Sequence, residues 1–112
     1  MTNEEQLEQL ESSMAEAKHF IDIKNSLLKL QKNRDFKKVI TEYYFKEEAA
    51  RLVMAKSAGL SEEQQVLIDN MIYGIGSLAK FLDSTLARGN QAELALAEDE
   101  EAKAEIIQEG LL

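Results

Sequence analysis

Glu16 and His19 stand three residues apart, a spacing that sets a carboxylate and an imidazole side by side on one helix face. Di-iron helical bundles use this pair twice, with two further glutamates, to hold their metals. The chain has a single histidine, so one copy falls short of that ligand set. The plainer reading is a surface histidine beside an acidic neighbour, and we expect neither metal nor cofactor. Gly74 and Gly76 invite comparison with phosphate-binding loops. Such a loop needs a strand before it and more glycines at fixed spacing. Here the pair falls inside an apolar helical stripe, with Ser77 and Ala79 close by. Its expected role is close helix packing.

Other chemistry finds less support. The chain has no cysteine, which removes thiolate catalysis, disulfides and cysteine zinc sites together. No nucleophile-elbow motif frames its serines. The 21 acidic residues single out no catalytic pair. The expectation is a protein that is not an enzyme.

Two charged segments are more informative. Residues 91–112 carry seven acidic residues against one lysine, a net charge of −6. Glu98, Asp99, Glu100 and Glu101 form its centre and are candidates for docking on a basic partner. The alternating oxygens and central glycine of a calcium loop are absent. Residues 32–60 carry seven basic residues against four acidic ones, a net charge of +3. Lys32, Arg34, Lys37 and Lys38 lead this segment, followed by Lys46, Arg51 and Lys56. Tyr43 and Tyr44 lie among them, and basic residues beside aromatics can make a nucleic-acid surface. Glu42, Glu47 and Glu48 dilute the charge, and the whole chain carries −8. Nucleic acid is therefore an unlikely ligand. Pairing with the acidic ends, within one chain or between copies, is the simpler account.

These residues need helices to place them. The 112-residue chain contains no proline, five glycines and 45% apolar residues, a composition for long helices and few loops. Thr2-Asn3-Glu4-Glu5 reads as a capping box that opens a helix over about residues 3–31. Leu7, Leu10, Met14, Ala17 and Ile21 recur along it at spacings of three and four, close to a heptad seam. We expect this seam to be an interface left for another chain, and the second half of the helix to face a globular core. Asp35 is the expected N-cap of a second helix, about residues 36–57.

Within that second helix the stripe Phe36, Val39, Ile40, Tyr43 falls out of phase with Phe45, Ala49, Leu52, Val53. The slip implies a kink or a change of partner near Tyr43-Tyr44-Phe45. A short strand over 39–43 is the alternative, because β-branched and aromatic residues cluster there. Gly59 suits a left-handed C-cap, and Ser61-Glu62-Glu63-Gln64 is a second capping box. It opens a strongly apolar helix over about 62–88, which Arg88-Gly89-Asn90 is expected to end. The expected organisation is a helical domain over 1–90 followed by an acidic helical or disordered tail over 91–112. The fold class is all-α, a three-helix bundle or helical hairpin with that C-terminal segment.

The segment Asp35-Phe36-Lys37-Lys38-Val39-Ile40, continuing through Tyr43-Tyr44 to Glu47-Glu48-Ala49-Ala50-Arg51-Leu52-Val53, resembles small uncharacterised proteins of tailed bacteriophages. Such proteins are often encoded among virion structural and assembly genes. The resemblance implies a virion component or assembly helper and carries no functional residues with it. The expected function is a non-enzymatic, oligomeric structural or assembly protein with protein partners. A small acidic regulator, occupying a basic nucleic-acid-binding site on a host protein, is the alternative. The polar first residues carry no secretory signal, and the longest apolar runs fall short of the ~20 residues of a membrane span. The expected location is the host cytoplasm during synthesis, and the virion afterwards.

Overall fold

A computed structural model describes residues 2–111. Every element in it is helical: α1 (Asn3–Lys32), a short α2 (Arg34–Phe36), a π-helix (Lys37–Glu48), α3 (Ala49–Lys56) and α4 (Glu62–Leu111). The all-α class holds among the described residues. Met1 and Leu112, the outer limits of the two expected segments, lie outside them.

Both capping boxes form. The Glu5 amide donates to Thr2 Oγ1 at 3.2 Å, and the Thr2 amide donates to Glu5 Oε2 at 3.3 Å. Ser61 and Gln64 repeat the exchange at 3.3 and 3.1 Å. Each box supplies partners to amides that a helix start leaves open. Gly59 sits at φ +72°, the left-handed conformation expected of it. The cap of the second helical segment differs from expectation. Asn33, not Asp35, is the N-cap, and its Oδ1 accepts from the Asp35 and Phe36 amides at 2.9 and 3.0 Å. Asp35 sits in the first turn, where its charge favours the positive end of the peptide dipoles.

Two further expectations are corrected. Residues 39–43 are helical, as expected, and not a strand, but they belong to a twelve-residue π-helix rather than to an α-helix. Its i→i+5 hydrogen bonds put more residues in each turn than the 3.6 of an α-helix. Inward positions therefore recur every four to five residues: Phe36, Ile40, Tyr44 with Phe45, then Ala49 are half-buried and Leu52 is buried. Val39, Tyr43 and Val53, assigned to the stripes at α-helical spacing, are exposed. The apparent slip is this change of period. The second correction concerns Arg88-Gly89-Asn90, which does not end a helix. α4 runs through it, and residues 91–111 are helical.

The chain forms two compact units. One takes residues up to Leu27 together with those from Thr85 onward, and the other is Leu28–Ser84. In the first, α1 and the later part of α4 meet in antiparallel order. Lys103 pairs with Glu11 at 3.5 Å, Ser13 Oγ donates to Asp99 Oδ2 at 2.7 Å, and Lys24 pairs with Glu93 at 2.8 Å. The Arg88 guanidinium lies 5.2 Å from the centre of the Phe20 ring, a cation–π distance. Met14, Ala17 and Ala92 are buried. In the second unit, Leu52 and Ile75 are buried and Lys56 pairs with Asp69 at 2.6 Å.

Candidate interaction surfaces

The seam on α1 faces its own chain. Met14 and Ala17 are buried, and Leu7, Leu10 and Ile21 are half-buried. Leu10 shares an open concavity with Ala102 and Ile106 of α4, and Ala17 shares another with Ala92 and Ala95. Met14 and Ala17 are thus covered within the chain, while Leu7, Leu10 and Ile21 keep part of their surface in water. The physical reason is the continuity of α4: once it passes Gly89, its alanine-rich face is available to cover the seam. Burying a side chain such as Met14 stabilises by about 1.5–3 kcal/mol relative to leaving it in water.

The close-packing glycines also change place. A Cβ on Gly74 would meet the Tyr44 hydroxyl at 3.8 Å, an ordinary contact, and a Cβ on Gly76 would meet open space. Gly76 is thus not a close-packing position. Gly89 is: any Cβ there would overlap the Cβ, Cγ and Cδ of Lys24. Sequence reading took Gly89 for a terminator. The signal that could have shown otherwise was the helix-favouring Gln91-Ala92-Glu93-Leu94-Ala95-Leu96-Ala97 beyond it.

The acidic run does not act as one patch, because four successive residues on a helix point in four directions. Asp99 turns toward α1 and accepts from Ser13. Glu98 and Glu101 point outward with Glu105, at spacings of three and four, and Glu109 follows one turn later. This face lies opposite Ala92, Asp99 and Lys103. Glu100 is exposed on another side. The outward carboxylate face is thus Glu98, Glu101, Glu105 and Glu109, of which the sequence run named two.

The basic residues separate into two sets. Arg51 donates to Glu48 through Nε and Nη2, and Lys56 pairs with Asp69. The hydrogen bonds from Arg51 hold the Glu48 carboxyl below its ordinary pKa, against a smaller opposing effect of burial, and the same contact raises Arg51. Lys32, Arg34, Lys37 and Lys38 are exposed and, with Glu42, line an open concavity of about 450 Å³.

No family model, curated protein or solved structure matches the chain. The surfaces must be read from their own chemistry.

His19 is exposed and packs at 5.5 Å against the Phe20 ring. No group of three or more metal-ligating side chains occurs among the described residues. No helix is long and apolar enough to cross a membrane, again among the described residues.

One surface was not anticipated. Along the first half of α4, Val66, Tyr73 and Phe81 recur at spacings of seven and eight and point away from the buried Ile75. Tyr73 is 78% exposed and Val66 60%. Leu67, and Val53 and Met54 on α3, are exposed in the same unit. Sequence reading placed Leu67 and Val53 within apolar stripes, because an apolar residue on a wide stripe looks alike whether it faces inward or outward, and gave Val66, Tyr73, Phe81 and Met54 no role.

Proposed function

We propose that the protein is a non-enzymatic structural or assembly protein that works by packing a helix face against further copies of itself. The observation that carries this reading is the outward apolar face of α4, with Val66 and Tyr73 in water. Isolated apolar side chains on a surface are normal, whereas a run of them at helical spacing marks a contact site. Aromatic residues, Tyr among them, are enriched in protein interfaces. The resemblance of residues 35–53 to small tailed-phage proteins supports a place in a virion or in its assembly. In the same reading, residues 34–56 and the first half of α4 form a helical hairpin with residues 28–32 beside it.

The test is the absolute mass in solution, by light scattering on a sizing column across a concentration series. Wild type is expected to run as an oligomer, and Val66→Glu with Tyr73→Glu to run at lower mass with its helical circular dichroism retained. A wild-type monomer at every concentration would refute self-assembly. An oligomer indifferent to both substitutions would refute this face as its seat.

A second reading has its own observation. The outward carboxylates of α4 present Glu98, Glu101 and Glu105 in a row, a surface able to enter a basic nucleic-acid site on another protein. An acidic regulator of that kind would compete with duplex DNA for its target, and charge reversal of those three residues would end the competition.

A further inference from the structure

Lys32, Arg34, Lys37 and Lys38 gather at the corner between α1 and the π-helix, around Asn33. Among the described residues, none of the four makes an ion pair, whereas Lys24, Arg51, Lys56 and Lys103 all do. Glu42 is the single carboxylate that lines the same concavity. Four cations held together with one anion repel one another, and an arriving polyanion relieves that repulsion. The concavity, about 450 Å³, has room for several carboxylate side chains.

The chain also carries the complementary surface. Glu98, Glu101, Glu105 and Glu109 are exposed and, among the described residues, make no ion pair. They span about 16 Å of α4 at 1.5 Å per residue. A net charge of −8 opposes the approach of nucleic acid to the protein as a whole. A helix of another copy meets that opposition in a milder form, and its carboxylates are spaced to meet several cations together.

We infer that the basic concavity receives the outward carboxylate face of α4 from a second copy of the chain. The contact joins two different surfaces, so each copy offers one of each to its neighbours. This inference rests on the self-assembly proposed above and names a second, electrostatic contact within it. Such contacts set register and encounter rate, and they weaken with salt.

Two charge-reversed proteins test it, each checked for helicity by circular dichroism. One carries Lys37→Glu and Lys38→Glu. The other carries Glu98→Lys, Glu101→Lys and Glu105→Lys. Association is measured by light scattering and sedimentation at about 0.05 and about 0.5 M salt, which span weak and strong screening. Wild type is expected to associate about tenfold more weakly at the higher salt, and each variant alone about tenfold more weakly than wild type at the lower. Mixing the variants is expected to restore association. The intact carboxylate face of the first then meets the intact concavity of the second, and the two reversed surfaces also match.

An oligomer whose mass ignores both reversals would overturn this contact and leave the apolar-face reading standing. A wild-type monomer at every concentration would overturn both. Variants that fail alone and stay apart when mixed would also overturn it. Binding of a duplex DNA oligonucleotide by wild type, lost with Lys37→Glu and Lys38→Glu, would give the concavity to a different occupant and so refute the inference.

Discussion

At Gly89, α1 comes so near that a single added carbon would strike Lys24. At Gly76, on the same helix, an added carbon would meet nothing. The two glycines mark the contrast between the two units. The unit of the chain ends packs small residues, Ala17, Gly89 and Ala92, beside the buried Met14 and Leu27, with polar bonds across the helices. The unit of the chain middle turns on Leu52 and Ile75, uses a π-helix to aim its aromatics, and leaves Tyr73 and Val66 in water. Both units leave large apolar side chains in water, Leu94 in the first and Tyr73 in the second, so the units differ in how their helices approach rather than in how much they cover.

The largest way to break the contrast is Leu52→Ala. Leu52 is buried to 2% exposure, the lowest among the described apolar core residues. Its loss leaves a cavity, with an expected cost of about 2–5 kcal/mol. Chemical denaturation should show it, and a cost under about 1 kcal/mol would mean that the middle unit collapses around the gap. Next comes the pair of glycines. Gly89→Ala forces Lys24 and the α1 backbone to shift, at about 1–3 kcal/mol. Gly76→Ala, in open space within a helix, should stabilise by about 0.5–1 kcal/mol. Opposite signs in denaturation midpoints would sharpen the contrast, and equal signs would erase it.

The smallest effect concerns the pair of half-buried Glu48 and exposed Arg51. A carboxyl held below its ordinary pKa by the folded state contributes stability above that ordinary value and loses it as pH falls through the lowered one. Glu48→Gln should therefore melt below wild type at about pH 7, and the gap should close toward about pH 2. A gap that does not depend on pH would assign the effect to packing of the Glu48 side chain. The surrounding Tyr43 contributes through a hydrogen bond to the same carboxyl.

Local chemistry in this chain was readable and distant pairing was not. Thr2 with Glu5, Ser61 with Gln64, and Gly59 act within a few residues of themselves, and each does what its type and spacing imply. Asn33 was passed over because Asp35 is an equally good cap by type. The choice depends on which residue takes an extended ψ, here 132° at Asn33. The phase slip near Tyr43-Tyr44-Phe45 was visible, but its cause was hidden because a 3.6-residue template has no place for a π-helix. Gly89 was misread because its reason lies in Lys24, 65 positions away. The acidic run misled in another manner: adjacency along the chain was taken for adjacency in space, and the helix dispersed it.

The composition of the first unit sets an order on its formation. Leu28–Ser84 is one continuous stretch of chain, whereas the residues that cover Met14 and Ala17 come from Thr85 onward. On a ribosome, which releases the chain from its N-terminus, the middle can gather itself while α1 still waits for its cover. The Ser13–Asp99 bond joins residues 86 apart and the Glu11–Lys103 pair joins residues 92 apart, so both close late and at a large cost in loop entropy. Until then the apolar seam of a nascent chain stays uncovered, so the order of synthesis sets when the first unit can close.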